Sequence, residues 1–261
     1  MPSTYAHYRF GVGLLPNLPG DVRRTIQRFR RLFDVGLHGP DIFYYQSTLS
    51  KAASRFLGVK YHDQTGKDFF QRVCRAVRLE RSEAAQAYLY GLLCHYCLDT
   101  ALHPFVNGCA VEDGPSHLEI EAEFDRFLLA MDGKTPPCAQ DLSPHLKLTP
   151  GEWETVAKFY PPTTSRTVRD CLQNMIRLLR ITAVPEGAKR TLVEKSMALL
   201  GKEFRDMLIP VDPNPKCTQL NVALMERYNV AVEAFPALLT QLQAHMTYSA
   251  PFEEGFDSTF G

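Results

Sequence analysis

Histidines and carboxylates spaced four residues apart occur in two neighbouring stretches, and this spacing limits the fold more than any other feature. The first pattern, His-x3-Asp-x3-His, places His95, Asp99 and His103 in register, and the second, His-x3-Glu, places His117 and Glu121 in register. Residues four apart lie on the same face of an α-helix. We therefore predict two helices whose polar faces present three imidazoles and two carboxylates.

Helix-start signals precede both stretches. Ser82 is a good N-cap residue, and the apolar-rich run behind it indicates a long buried helix. Ser116 and Glu119 have the spacing of a capping box at the start of the second helix. Residues 108–115 contain Gly, Asp and Pro and predict a turn between the two helices.

The side chains in these patterns are the ligands that zinc prefers in proteins. An i,i+4 pair on a helix directs two donors toward one ion. The alternative is a pair of amphipathic helices with polar core histidines, because a single buried histidine is most often only that. Three of the eight histidines fall in these two patterns, and buried carboxylates require a partner. The combination favours a metal site.

Length and charge exclude several classes of protein. The 261 residues can form one large domain or two small ones, and 45% hydrophobic and 22% charged residues are typical of a globular chain. The formal net charge is zero, which gives no global electrostatic case for binding nucleic acid or an anionic membrane. No run approaches the ~20 apolar residues of a membrane span.

The first residues and the cysteines bear on the cellular compartment. The start has neither a basic region nor an apolar region typical of a signal peptide, which predicts a cytoplasmic location. Seven cysteines are scattered through helical patterns, which favours reduced thiols over a disulfide framework.

Helical periodicity recurs along the rest of the chain, and alternating strand patterns are almost absent. Thr149 and Glu152 form another predicted capping box. The predicted helices cover 21–36, with Asp21 as the cap, and 67–79, 168–181, 189–208 and 219–247, with Pro236 kinking the last. The sequence therefore predicts an all-α fold.

The helix predicted over 21–36 carries a cluster of arginines on the faces that its apolar stripe leaves free. These are Arg23, Arg24, Arg28, Arg30 and Arg31. They indicate either a phosphate-attracting patch or a solvated helix face. The balanced net charge favours the solvated face.

Three further residues complete a family pattern: His7, Asp41 within Gly39-Pro40-Asp41, and His62. Together with the two helical motifs, they make the chain resemble the bacterial zinc-dependent phospholipase C family over roughly residues 1–130. The resemblance implies a single multi-helix domain of the phospholipase C/P1 nuclease type over 1–261. The metal ligands would lie within 1–130, and the helical remainder, 131–261, would pack on them.

The resemblance also implies how a trinuclear zinc site would be shared. One zinc would be bound by Asp41, His62, His95 and Asp99; a second by His103, His117 and Glu121; and a third by His7 and the bridging Asp99. In the secreted enzymes the free N-terminus of a mature tryptophan completes the third site, and this sequence has no matching tryptophan before His7. We therefore expect two to three Zn²⁺ ions per chain.

Roles in catalysis and substrate binding are assigned to residues near these ligands. Asp41 would be the catalytic carboxylate that orients or deprotonates the attacking water. The sequence has no match to the choline-selecting pocket of the secreted enzymes, and the aromatic run Phe43, Tyr44 and Tyr45 would face a lipid or a cationic headgroup on the ground of its residue types. Zinc lowers the pKa of bound water to ~7, and the resulting hydroxide would attack the phosphate of a phospholipid or related phosphodiester.

The predicted activity is thus that of a zinc-dependent phosphoric diester hydrolase similar to phospholipase C. One alternative is a zinc-dependent nuclease or another small-molecule phosphodiesterase. A nucleic acid substrate is less favoured, because the chain is neutral and has no basic stripe beyond the arginine helix. A further alternative is a non-catalytic helical protein stabilised by metal, which closed four-ligand sites would favour.

Overall fold

The computed structural model describes residues 3–46, 55–110 and 114–261. In these ranges there is no β-strand, only an isolated bridge between Thr65 and Thr259, so the predicted all-α fold is confirmed. The α-helices are α1 (Thr4–Leu14), α2 (Gly20–Arg28), α3 (Arg30–Gly36), α4 (Arg55–His62), α5 (Gly66–Glu80), α6 (Glu83–Cys109), α7 (His117–Met131), α8 (Pro150–Ala157), α9 (Ser165–Thr182), α10 (Ala188–Leu200), α11 (Lys202–Asp206) and α12 (Thr218–Tyr248).

The helix α6 forms the centre of the fold. It begins at the predicted N-cap, where the Ala85 N–H donates to Ser82 Oγ at 3.2 Å. Helices α1, α2, α3, α5, α7, α8 and α12 pack around it. A helix with neighbours on all sides is apolar around its whole circumference, which explains the apolar-rich sequence of this element. The prediction of a long buried helix after Ser82 is confirmed.

Two glycines allow α3 to cross α6 with the backbones in contact. A Cβ atom on Gly36 would collide with the Tyr88 carbonyl, and one on Gly91 would collide with the Phe33 carbonyl. This close crossing lays the segment that follows α3 against α6. There Gly39 adopts a φ of +41°, a value that side chains disfavour, and a Cβ at this position would collide with the His95 ring.

Three boundary predictions need correction. The helix predicted over 21–36 is two helices, because Phe29 leaves the helical region with φ −122° and ψ 42°. Asp21 lies in the first turn of α2, and Pro19 is the N-cap residue. The helix predicted over 189–208 is interrupted at Gly201, whose φ of 139° is readily adopted only by glycine. The helix predicted over 219–247 is α12, which runs through Pro236 without interruption; the kink at Pro236 stays a prediction.

Most of the buried hydrophobic side chains form one cluster that extends from Tyr5 in α1 to Phe260 after α12. The segment after α12 returns to this cluster and buries Phe252, Phe256 and Phe260. All seven cysteines are free thiols. Among the described helices, none combines the length and the hydropathy needed to cross a membrane.

Candidate metal centre

The central helix α6 presents a stripe of polar side chains inside the protein. The His95 Nε2 atom lies 2.9 Å from Asp99 Oδ2, and the His103 Nε2 atom lies 3.8 Å from Asp99 Oδ1. His95 is fully buried and Asp99 nearly so. The spacing of four residues therefore produces the predicted common face.

The next helix, α7, adds two side chains to this face. Its predicted capping box is confirmed: the Glu119 N–H donates to Ser116 Oγ at 3.2 Å, and the Ser116 N–H donates to Glu119 Oε2 at 2.8 Å. One turn apart on α7, His117 and Glu121 approach to 3.3 Å between Nε2 and Oε1. The same Glu121 oxygen lies 3.3 Å from His103 Nε2, so α6 and α7 contribute to one group.

Two side chains reach the opposite side of Asp99 from distant parts of the sequence. His62 is the last residue of α4, and Asp41 lies in the 3-10 segment Gly39–Tyr45. His62 Nε2 is 2.9 Å from Asp41 Oδ1 and 4.0 Å from Asp99 Oδ2. Both side chains are buried. The crossing of α3 over α6 is what brings Asp41 to this position.

The helix α1 supplies His7, whose Nε2 atom lies 3.1 Å from Asp99 Oδ1. Its ring stacks on His95 with the centroids 4.5 Å apart. The start of α1 is held by Asp125 of α7, which accepts the N–H groups of Tyr5 at 2.9 Å and Ala6 at 2.8 Å. Burial raises the pKa of Asp125 to about 8, although these two hydrogen bonds act in the opposite direction. The buried Asp125 thus fixes the helix that carries His7.

All eight side chains predicted as ligands lie in three adjacent groups. In each group the potential ligand atoms are within 4.8 Å of one another. The first group is His7, His95 and Asp99, the second is Asp41, His62 and His95, and the third is His103, His117 and Glu121. The Asp99 carboxylate lies between them, with Oδ1 toward His7 and His103 and Oδ2 toward His95 and His62. Their role as ligands stays a prediction. The expected contribution of the N-terminus concerns residues 1 and 2, which lie outside the described residues.

Hydrogen bonds at the far side of the rings determine which nitrogen can bind a metal. Four histidines direct Nδ1 at an oxygen: His62 at Gly58 O, 2.7 Å; His95 at Leu37 O, 3.3 Å; His103 at Phe260 O, 3.2 Å; and His117 at Asn107 Oδ1, 2.9 Å. An oxygen of this kind only accepts, so Nδ1 carries the proton. In the neutral ring, Nε2 then has its lone pair directed at the cluster, as metal binding requires.

The electrostatics of the cluster favour a bound cation. Burial alone would lower the pKa of His103, but Asp99 and Glu121 outweigh it and raise the pKa to about 9. Burial alone would raise the pKa of Asp41, but the hydrogen bond from His62 and the charge of His95 outweigh it and lower the pKa. His95 Nε2 and Asp99 Oδ2 are buried 2.9 Å apart, and neither atom makes a hydrogen bond of good geometry with the other or with another described group. A zinc ion would give both atoms a partner, so the residues fit this metal.

The aromatic run after Asp41 does not face one direction. Phe43 is fully buried and packs edge-on against Tyr160 at 4.8 Å, and Tyr45 is also buried. Tyr44 is partly exposed, and its ring centroid lies 5.2 Å from that of His62. A 3-10 helix has three residues per turn, so consecutive side chains point in three directions. Of the three predicted substrate-binding residues, Tyr44 is the one beside the cluster with an exposed edge.

Sequence reasoning missed a pair of histidines beside the cluster. His38 and His145 are joined by a hydrogen bond of 2.7 Å between their Nε2 atoms. The His38 ring is 6.5 Å from the His7 ring, and Tyr8 stacks on His145 at 4.2 Å. His145 is partly buried against His38. The one available signal was the position of His38, three residues before Asp41.

Comparison with known families agrees with this geometry. The family described as zinc dependent phospholipase C matches residues 6–174, nearly two-thirds of the chain. The matched range contains all eight side chains of the cluster, and the helical architecture agrees with the predicted phospholipase C/P1 nuclease type. Searches among curated proteins and among solved structures found no match. The chain belongs to the zinc-dependent phospholipase C family.

Proposed function

We propose that the chain is a zinc-dependent phosphodiester hydrolase that acts on a phospholipid or a related phosphodiester. The position of Asp99 carries this proposal. Its Oδ1 atom lies 3.8 Å from His103 Nε2 and its Oδ2 atom lies 4.0 Å from His62 Nε2, and these histidines belong to different groups of potential ligands, which is the arrangement expected of a carboxylate shared between two metal ions. Membership of a family described by zinc and phospholipase C supports the same conclusion.

We assign the eight side chains of the cluster as ligands for two to three zinc ions. When bound, zinc would supply Lewis acidity and lower the pKa of coordinated water. The chain's own contribution is to hold the donors in place. The four Nδ1 hydrogen bonds orient four imidazoles, and Asp125 anchors the helix that carries His7.

Asp41 is proposed to orient the attacking water in addition to acting as a ligand. It is 6% exposed, and its lowered pKa keeps the carboxylate ionised near neutral pH. An ionised carboxylate accepts hydrogen bonds from water and positions its oxygen. Tyr44 is proposed to contact the substrate, because its ring lies beside His62 with part of its surface exposed.

Substrate would approach from the side of His117. The His117 side chain is 32% exposed, whereas those of Asp99 and Glu121 are 3% and 4% exposed. Two arginines of α2 and α3 are paired with carboxylates, which weakens the case for a nucleic acid substrate. Arg28 pairs with Glu83 at 2.7 Å and Arg31 pairs with Glu152 at 3.0 Å, so neither is a free cation available to a phosphate backbone.

We also propose that residues 1–261 form one domain, because one hydrophobic cluster joins α1, α6 and α12. The cytoplasmic location stays a prediction.

Metal analysis followed by substrate comparison tests the function. Protein purified without chelator should contain two to three zinc ions per chain by elemental analysis. It should hydrolyse phosphatidylcholine in mixed micelles, lose this activity with a chelator, and regain it with added zinc. Single-stranded DNA serves as the competing substrate. Zinc-dependent cleavage of DNA alone would contradict the phospholipid assignment, and absence of zinc after repletion would contradict the proposal as a whole.

A further inference from the structure

The segment after α12 is fastened to the helices that carry the cluster. The Gly66 N–H donates to the Ser258 carbonyl at 2.8 Å. The Tyr96 hydroxyl is within hydrogen-bond distance of the Gly255 carbonyl at 3.2 Å and of the Ser258 carbonyl at 3.0 Å. The start of α5 and the middle of α6 therefore both hold this segment, and they place Phe260 at a defined position.

The backbone of Phe260 contacts one proposed ligand on each side of the cluster. Its N–H donates to the His62 carbonyl at 3.1 Å. Its carbonyl accepts a hydrogen bond from His103 Nδ1 at 3.2 Å. His62 belongs to the group with Asp41, and His103 belongs to the group with His117 and Glu121. One residue from the far end of the described chain thus links the two groups.

The Phe260 side chain keeps this backbone in place. It is fully buried, and its ring centroid lies 6.0 Å from that of His95 and 6.2 Å from that of His62. On the other side it packs against Phe69 at 5.1 Å and Tyr96 at 5.0 Å. The ring is therefore enclosed between the core and the imidazoles, and the position of the carbonyl depends on it.

We propose that Phe260 is a positioning residue of the metal centre. Its carbonyl fixes the tautomer of His103 that carries the proton on Nδ1, and its buried ring holds that carbonyl in position. Partners of this kind typically alter metal affinity by about 10–100-fold. The family match ends at residue 174, so this support comes from a part of the chain outside the match. The effect on metal binding rests on the proposed function, whereas the effect on the tautomer does not.

The test compares Phe260→Ala with Phe252→Ala. Phe252 is a matched control because it is a buried aromatic of the same segment, and it stacks on His245 and Phe256 at 4.3 Å without contacting a proposed ligand. Both variants should lower thermal stability. In the metal-free protein above about pH 9, where the His103 ring is neutral, ¹⁵N NMR should show that His103 leaves the Nδ1–H tautomer in Phe260→Ala only. Zinc affinity, measured by chelator competition, should fall about 10–100-fold in that variant only.

Two outcomes would overturn the proposal. One is an unchanged His103 tautomer in Phe260→Ala, and the other is an equal loss of zinc affinity in Phe252→Ala. If the unsubstituted protein binds no zinc, the proposed function fails, and the metal-free tautomer still decides the role of Phe260. If Phe260→Ala does not fold, Tyr96→Phe is the second variant, since it retains the ring and loses both hydroxyl contacts with the segment. It should produce the same tautomer change to a smaller extent, and an unchanged tautomer would count against the proposal.

Discussion

The two sides of Asp99 are built in different ways. The inner group, formed by His7, Asp41, His62 and His95, draws its side chains from α1, the 3-10 segment Gly39–Tyr45, α4 and α6. The outer group, formed by His103, His117 and Glu121, comes from the consecutive helices α6 and α7. His95 is fully buried, whereas the His117 side chain is 32% exposed.

This difference separates structural roles from chemical ones. A side chain of the inner group is also a core residue, because its ring or carboxylate fills space between several elements. In the outer group, His117 is attached to a rigid helix and is 32% exposed, so its removal leaves little unfilled space. Substitutions in the inner group should therefore reduce both stability and metal binding, and substitutions at the exposed edge of the outer group should reduce metal binding alone.

The largest effect is expected for Asp99→Asn, which alters the one carboxylate that both groups share. The uncharged amide loses most of its capacity to bridge two cations, so zinc should be lost from both groups and hydrolysis should fall by more than about 100-fold. The helical circular dichroism spectrum should persist. Asp34→Asn is the control. Asp34 is buried, belongs to none of the three ligand groups, and forms an ion pair with Arg30 in which the Nε and Oδ1 atoms are 2.6 Å apart. Zinc retained at the original stoichiometry in Asp99→Asn would show that the groups are independent.

The comparison becomes quantitative with His95→Ala and His117→Ala, studied in the metal-free protein. Removing the fully buried His95 ring leaves a cavity, and the free energy of unfolding should fall by about 2–4 kcal/mol. Removing the partly exposed His117 ring should change it by less than about 0.5 kcal/mol. Urea unfolding measures both, and elemental analysis should show zinc loss in each. Equal destabilisation of the two variants would remove the distinction between the groups.

The smallest effect is expected for the pH dependence of stability that His145 causes at the boundary of the inner group. Burial, assisted by the charge of Arg30, lowers the pKa of His145 from 6.5 to about 4. The unfolded chain therefore takes up the proton first, and the stabilisation present above pH 6.5 is lost as the pH falls toward 4. From pH 7 to pH 5, the metal-free protein should lose about 1–2 kcal/mol more stability than His145→Asn. Urea unfolding at the two pH values checks this, and parallel losses would place His145 in solvent.

The sequence was most informative where structure is local. The i,i+4 spacing of His95, Asp99 and His103 and the capping box at Ser116 depend only on helix geometry, and the structure reproduces both. His7, Asp41 and His62 were identified by family resemblance, because no local rule links residues on different elements. The break at Phe29 and the orientation of Phe43 depend on tertiary packing. The contact of Phe260 with His103 uses a backbone carbonyl, which leaves no mark in the sequence.

The crossing of α3 over α6 has a consequence for genetic variation in this protein. Gly36 and Gly91 have no side chain that could bind a metal, yet a side chain at either position would force the two helix backbones apart. The displaced helix would carry Asp41 away from His62, with all eight potential ligands unchanged in identity. A survey of inactivating variants guided by ligand chemistry would overlook both glycines, although replacing either should be as damaging as replacing a histidine of the inner group.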